Sequence, residues 1–495
     1  MLTDWLRQRA LGSPEKTSLI AEEQTWNFRT LDAQVDQLVG QLVHSGIDSG
    51  QHVAALMPNC SAYVLLVYAL ARLGAVLVPL NTRLTPDELE DQITQANCSW
   101  LVYNANTRAT AGGINSPGCQ QLIFPDLRKH TNTKSRDKDI NTWDLERLQA
   151  IVFTSGTSGK PKGAGLTFGN HLWSAVASGF RLGVDPDDRW LITLPFYHVG
   201  GLAILFRSLL YGTAMVLQDG FEPQAVLGKI QQQKISLISL VPTMLHRLLE
   251  LPGASQTLCK LRLILLGGAA APQRLLEESL AAGLNIALTY GMTETASQFA
   301  TASPQETRRK PGSVGKALDF CKIRILDETG RTLPKGVIGQ ISVTGPVVMQ
   351  GYYGSSPAQG ELVTGDLGYL DEDGDLWIMQ RRSDLIVSGG ENIYPAQVEA
   401  VLLEQPEVKA ACVVGLEHPE WGQQVAAAVV PKENATLSIT ALQDFCRQRL
   451  AGYKIPRQII FVDELPQTPS GKVLRRQVAE LFQSHEVTHP AQILR

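Results

Sequence analysis

The residues Thr154-Ser155-Gly156-Thr157-Ser158-Gly159-Lys160-Pro161-Lys162-Gly163 follow directly on an apolar run, Ile151-Val152-Phe153. Their side chains are small, hydroxyl-bearing or cationic. Small residues let successive backbone N–H groups turn toward one point, and the hydroxyls and two lysines add donors and positive charge. Such a segment at the end of a strand is a cradle for a polyphosphate. It is not a Walker A loop, which requires glycine where Thr154 stands and Ser or Thr where Pro161 stands.

Other chemically suggestive residues point to less. His198 lies in Leu194-Pro195-Phe196-Tyr197-His198-Val199-Gly200-Gly201, and no second His or Cys stands at ligand spacing, so a zinc site is not expected. The run Asp371-Glu372-Asp373-Gly374-Asp375 has its glycine too early, and no terminal glutamate, for a calcium loop. Cys60, Cys98, Cys119, Cys259, Cys321, Cys412 and Cys446 are scattered singly, which predicts reduced thiols in a cytoplasmic protein. A formal net charge of -4 argues against nucleic acid or an anionic membrane surface as the main partner. The opening Met1-Leu2-Thr3-Asp4-Trp5-Leu6-Arg7 carries charges and no apolar run, so no secretory leader is expected.

These residues need a scaffold to position them. At 495 residues the chain is too long for one hydrophobic core. A helix is predicted over Leu31 to Leu42 with Thr30 as its N-cap. Strands are predicted at Val53 to Met57, Leu101 to Tyr103, Arg189 to Leu194, Ala214 to Leu217, Leu237 to Leu240 and Leu263 to Leu266. Strands spaced by helices predict parallel sheets covered on both faces. Two apolar stretches, Tyr63 to Leu80 and Gly201 to Leu217, carry Arg72 and Arg207 near their middles. A charge at bilayer depth is costly, so both are expected to be buried helix–strand pairs, without integral membrane association. From about Cys321, turns at Asp327-Glu328-Thr329-Gly330 and Asp371-Glu372-Asp373-Gly374 predict a β-rich region. The expected fold class is therefore α/β. A large N-terminal domain (1–380) combines parallel-sheet αβα subdomains with a small β-rich subdomain. A polar hinge (381–383) leads to a small α+β C-terminal domain (384–495).

The decapeptide Thr154 to Gly163 closely resembles the phosphate loop of the adenylate-forming superfamily, which includes acyl-CoA synthetases, luciferase-like enzymes and peptide-synthetase adenylation domains. Further segments resemble that family in its order and spacing, over essentially the whole chain. The resemblance implies ATP, Mg²⁺ and coenzyme A as cofactors or co-substrates. It implies that Thr154, Ser155, Gly156, Thr157, Ser158, Gly159, Lys160 and Lys162 hold phosphate, and that Gly267, Gly268 and Ala269 border the adenine. In Tyr290-Gly291-Met292-Thr293-Glu294 it places Tyr290 against adenine, Thr293 at phosphate and Glu294 on magnesium. Asp366 of Thr364-Gly365-Asp366, and Arg381, are the implied ribose ligands. Lys472, ending Pro466-Gln467-Thr468-Pro469-Ser470-Gly471-Lys472, is the implied catalytic lysine. The family usually has Gly or Asp before the ribose arginine, where Gln380 stands here. The small domain is implied to be mobile: after adenylation it would withdraw Lys472 and present Ser388-Gly389-Gly390-Glu391-Asn392 to a thiol tunnel.

Amino-acid-adenylating members usually carry an aspartate in the stretch matching Phe196 to Val199. Tyr197 and His198 stand here, so an amine substrate is not expected, and His198 matches a gate beside the acyl carboxylate. No carrier-protein module follows residue 480, which favours CoA as acceptor. More narrowly, the stretch from His198 to Gly212, the run from Thr293 to Gln298 and the run from Ser388 to Pro395 resemble the o-succinylbenzoate-activating branch, the CoA ligases of menaquinone and phylloquinone biosynthesis. That substrate is a dianion, and a carboxylate left charged in an apolar pocket needs a cation or fixed donors. Arg207, directly or through water, with Ser297 and Gln298, is the candidate set. Three alternatives stand beside this one. Arg207 pairs with an acid beneath the pocket floor; the acid is a fatty or aryl acid; or the chain binds nucleotide without catalysis, which the intact Lys472, Glu294 and Asp366 oppose. Expected partners are a carboxylic acid, ATP and CoA, and a homodimer is compatible with the sequence.

Overall fold

The computed structural model describes residues 2–21, 24–124, 142–154, 161–356, 360–380, 385–432, 435, 437–466 and 473–488. The described residues of 1–82, 90–153 and 163–381 form one compact unit, and those of 83–89, 154–162 and 382–495 a second. The expected hinge, 381–383, lies outside the described residues.

The first unit rests on two large sheets. In one, the strands Arg189–Ile192, Ala214–Leu217, Leu237–Leu240, Leu263–Leu266 and Ile286–Met292 run parallel, and Ser297–Thr301 adds on antiparallel. In the other, His52–Leu56, Val76–Pro79, Trp100–Tyr103 and Gln120–Ile123 run parallel, with Leu148–Thr154 beside Val76–Pro79. Their near-continuous apolar sequences suit strands buried on both faces. The first strand of the nine-stranded sheet's centre stops at Ile192, two residues short of expectation, because Thr193 turns its hydroxyl to Ser239 O and Pro195 has no N–H to donate.

The predicted helix at Leu31 begins earlier, spanning Phe28–His44. Asn27, not Thr30, is its N-cap: the Asn27 side chain accepts from Thr30 N at 2.8 Å. Asparagine is the stronger cap, and the earlier start buries Phe28 beside Leu31, Val35, Leu38 and Leu42. Both arginine-bearing apolar stretches are helix–strand pairs. Ser61–Leu73 ends at Gly74 (φ 83°) before Val76–Pro79, and Val199–Tyr211 ends at Gly212 (φ 69°) before Ala214–Leu217. Among the described residues no helix is long and apolar enough to cross a membrane.

The β-rich region is an antiparallel sheet of Lys322–Leu326, Gly339–Thr344, Glu361–Leu370 and Leu376–Gln380. At its Asp371 turn a lysine ammonium takes the place a cation would fill. Lys310 Nζ lies 2.6 Å from Asp371 and Asp373 and 2.7 Å from Asp375. Burial works to raise Asp371, but hydrogen bonds from Lys310 and Trp377 outweigh it and hold the carboxyl at about 2.

The second unit packs Pro395–Glu404 and Ile439–Arg447 on a sheet of Ile386–Ser388, Glu391–Ile393, Val408–His418, Gly422–Pro431 and Gln458–Phe461. Val398, Leu402, Val413, Val429, Leu442 and Ile459 fill its core. Among the described residues no disulfide joins any of the cysteines.

Candidate active site

The strand Leu148–Thr154 delivers the chain to the phosphate-loop residues and Lys162–Thr167 carries it away. At the base, Thr154 Oγ1 donates to Lys162 O at 3.3 Å. Gly163 is obligatory there, since a Cβ would sit 2.5 Å from Ile151 Cγ2. Ser155, Gly156, Thr157, Ser158, Gly159 and Lys160 lie outside the described residues, as do Arg381 and Lys472.

Other candidates gather at the carboxyl ends of the parallel strands, where α/β sheets bind ligands. Gly267, Gly268 and Ala269 follow Leu263–Leu266, next to the strand Ile286–Met292 that carries Tyr290 and Gly291. A Cβ on Gly267 would meet Thr289 Cγ2 at 2.5 Å, and Gly268 has φ 79°, so this turn lies flat against its neighbour. Tyr290 is buried and its hydroxyl donates to Asp366 Oδ2 at 2.7 Å. Thr364 Oγ1 in turn accepts from Asp366 N at 3.1 Å, orienting the aspartate. The structure thus joins the implied adenine and ribose residues by one hydrogen bond.

A register shift at Tyr290/Gly291 opens the hairpin to Ser297–Thr301, with the 3₁₀ turn Thr293–Thr295 at its tip. Gly291 allows the strands to close, because a Cβ would lie 2.0 Å from Ser297 O. Glu294 is buried, and its Oε1 accepts from Tyr352 OH at 2.7 Å. Met349 N donates to Glu294 O at 2.8 Å. The next two residues are strained: Ala296 has φ 49° and Ser297 φ 104°. Such backbone costs about 1–3 kcal/mol per residue and persists only where surroundings over-determine it. Two hydroxyls hold it here, Thr295 Oγ1 on Ser297 O and Ser174 Oγ on Ala296 O, both at 2.8 Å.

The strained corner aims Ser297 at Arg207. Arg207 Nη2 lies 3.3 Å from Ser297 Oγ and 3.5 Å from Ser174 Oγ, and the guanidinium carbon is 5.8 Å from the Trp190 ring centroid. At 1% exposure Arg207 is buried. Among the described residues no carboxylate pairs with it, and its Nε has no hydrogen-bond partner. Burial pushes its pKa down and Tyr211 opposes that, yet arginine stays charged. The alternative of an acidic partner beneath the floor is therefore not met among the described residues. Gln298 makes no hydrogen bond to Arg207; it is sealed in, and both its amide atoms lack partners among the described residues.

His198 is the N-cap residue of Val199–Tyr211, its ring 4.7 Å from that of Tyr197. Asn59 pins this segment, donating to Leu194 O at 2.8 Å and accepting from Phe196 N at 3.0 Å. Asn59, Ser174 and Tyr352 escaped the sequence reading. Each acts through a partner 33 or more residues away, and no local pattern marks them. In the second unit, Gly389 and Gly390 have φ 59° and 85° and form the two-residue turn between Ser388 and Glu391, as a hairpin loop with both φ values positive requires.

A buried, oriented carboxylate beside a tyrosine–aspartate pair at the ends of parallel strands is a nucleotide-binding arrangement. The chain belongs to the AMP-binding enzyme family, which matches residues 6–353, with the family's C-terminal domain matching 397–472. Among named relatives, 2-succinylbenzoate–CoA ligase of Bacillus cereus is 41% identical over 489 residues, spanning 97% of this chain and 99% of the relative. Among solved structures, a double mutant of o-succinylbenzoate CoA synthetase from Bacillus subtilis, bound with its product analogue, matches with a TM-score of 0.89. It is 39% identical and covers 96% of this chain and 97% of that one. The same enzyme in complex with ATP and magnesium ion matches at 0.72, with 39% identity over 96% and 99%.

Proposed function

We propose that this chain is an AMP-forming acid–CoA ligase whose acid is o-succinylbenzoate. A carboxylate oxygen attacks the α-phosphorus of ATP, the bond to the β-phosphate oxygen breaks and pyrophosphate leaves. The CoA sulfur then attacks the acyl carbon of the adenylate, its thiol proton is lost and AMP departs. The observation that carries the choice of acid is Arg207, a buried cation that faces Ser297 and pairs with no carboxylate among the described residues. The named relatives, 2-succinylbenzoate–CoA ligases aligned over nearly the whole chain, support the same acid.

Bringing two anions together makes positioning and charge neutralisation the main catalytic task. Thr154 to Lys162 hold the phosphates, Asp366 and Arg381 the ribose, and Tyr290 with Gly267 to Ala269 the adenine. Lys472 bridges the acyl carboxylate and the α-phosphate. A single carboxylate with phosphate oxygens and water is a normal Mg²⁺ environment, and Glu294, oriented by Tyr352, fits it. Held by Glu294, Mg²⁺ would supply positive charge to the leaving pyrophosphate. His198 gates the carboxylate, and Gly389 and Gly390 allow close passage of the pantetheine arm in the second half-reaction. Cysteines that form no disulfide among the described residues suit a cytoplasmic enzyme. A homodimer is part of the same reading, tested by light scattering on the purified chain.

Pyrophosphate exchange across a panel of acids tests the substrate: o-succinylbenzoate should win, and victory for benzoate or a medium-chain fatty acid overturns it. Lys472→Ala should cut adenylation by about 100-fold or more while thioester formation from pre-made acyl-AMP persists. Equal loss in both half-reactions argues against the mobile-domain mechanism.

A further inference from the structure

The helices Phe168–Leu182 and Val199–Tyr211 pack with a polar seam between them. His171 and Ser174, three residues apart, share one face of the first, and Arg207 lies on the second. All three are buried, as are Ser178 and Ser208 of the same helices, and the apolar core there includes Trp143, Phe168 and Phe206. His171 stacks on Phe206 at 4.2 Å, and neither ring nitrogen has a partner among the described residues. Burial first, then Arg207, pushes His171 down to about 3, so it stays neutral beside the guanidinium.

Ser174 holds the centre of the seam. Its hydroxyl donates to Ala296 O at 2.8 Å and accepts from Arg207 Nη2 at 3.5 Å. One serine oxygen carries a donor and two acceptor sites, so it meets a carbonyl and a guanidinium together, as alanine cannot. At 1% exposure it does not reach a substrate. We propose that Ser174 is a positioning residue that fixes Arg207 against the strained Ala296–Ser297 corner and thereby sets the preference for a dianionic acid. This deepens the o-succinylbenzoate reading and rests on it. Glu294, at the other end of the corner, has its own anchors in Met349 N and Tyr352 OH. Loss of Ser174 therefore acts on the acid side and spares the metal side.

The test compares Ser174→Ala, Arg207→Met and the double variant in pyrophosphate exchange. The two acids are o-succinylbenzoate and 3-benzoylpropionate, the same skeleton without the ring carboxylate. Ser174→Ala should lower the preference for the diacid about tenfold, with the KM for ATP and the Mg²⁺ dependence unchanged. In the Arg207→Met background it should add nothing, and Ser174→Thr, which keeps the hydroxyl, should restore most of the preference. Equal loss with both acids, or an effect additive to Arg207→Met, overturns the proposal and marks Ser174 as structural only. If Arg207→Met itself leaves the preference intact, the counter-ion reading of Arg207 fails and takes the proposal with it. A silent Ser174→Ala beside an effective Arg207→Met overturns the proposal alone. Ser174→Cys, nearly isosteric with a weak donor, gives the same readout if the alanine variant does not fold.

Discussion

Arg72 and Arg207 are both buried, both lie in a 13-residue apolar helix, and both helices end at a glycine with positive φ before a short parallel strand. Their surroundings differ. Arg72 places Nε on Asp4 at 2.7 Å, Nη2 on Asp32 at 2.6 Å and Nη1 on Asp36 at 2.7 Å, and Arg7 adds a second cation to the cluster. Burial alone would lower the Arg72 pKa, but the three aspartates raise it. Among the described residues Arg207 hydrogen-bonds the hydroxyls of Ser174 and Ser297 and lies near the Trp190 ring, and burial lowers it. A saturated buried arginine ties elements together; one whose described partners are neutral keeps an uncompensated charge, which is the basis of the counter-ion role proposed for Arg207. Breaking a buried pair by removing one partner leaves an uncompensated charge, whereas removing a charge that never had a counter-ion does not.

The contrast can be broken in four ways. Arg72→Met should cost about 3–5 kcal/mol in urea unfolding, because it strands three carboxylates, while the ratio of rates on diacid and monoacid stays constant. A variant of ordinary stability would refute the structural role. Arg207→Met should do the reverse: kcat/KM for o-succinylbenzoate falls about 100-fold with stability held or raised. A large drop in stability there would make the two arginines alike.

Acid denaturation sharpens the picture around Arg207. His171 is held neutral to about 3 by burial and by Arg207, while an unfolded histidine titrates near 6.5. Below that value the unfolded chain binds a proton that the native chain refuses. The native state's advantage is thus full above about 6.5 and shrinks as pH falls toward 3. His171→Phe should escape this loss, losing about 2 kcal/mol less than the parent between pH 7 and pH 5. An equal or steeper decline of its melting temperature would count against a neutral His171. The smallest effect concerns the Glu294 end of the corner, where Mg²⁺ binding is proposed. Tyr352→Phe should raise the Mg²⁺ concentration for half-maximal adenylation about tenfold and leave the KM for the diacid alone. A shift in the diacid KM instead would show that the two ends of the corner are not separately anchored.

Much of this protein is local and therefore legible. The Tyr290–Glu294 segment and the Gly389–Gly390 turn are short stretches whose backbone conformation is set within a few residues. The helix–strand pairs show in their apolar periodicity and closing glycines. Where two caps competed, Asn27 prevailed over Thr30 because capping strength and the burial of Phe28 acted together, and only the first can be read along the chain. Tyr352 meets Glu294 across 58 residues, and Ser174 meets Arg207 across 33, so neither pairing has a sequence signature.

From the residues alone come a polyphosphate cradle, the α/β architecture and the expectation that two arginines are buried, while the adenylating chemistry is what the resemblance to the adenylate-forming superfamily implies. Which of the two is neutralised was decided by tertiary structure. Asp4, Asp32 and Asp36 reach Arg72 from 68, 40 and 36 residues away, whereas Ser297 reaches Arg207 from 90. The energy of a buried charge depends on what the fold brings within a few ångströms of it, and that is a property of space rather than of sequence.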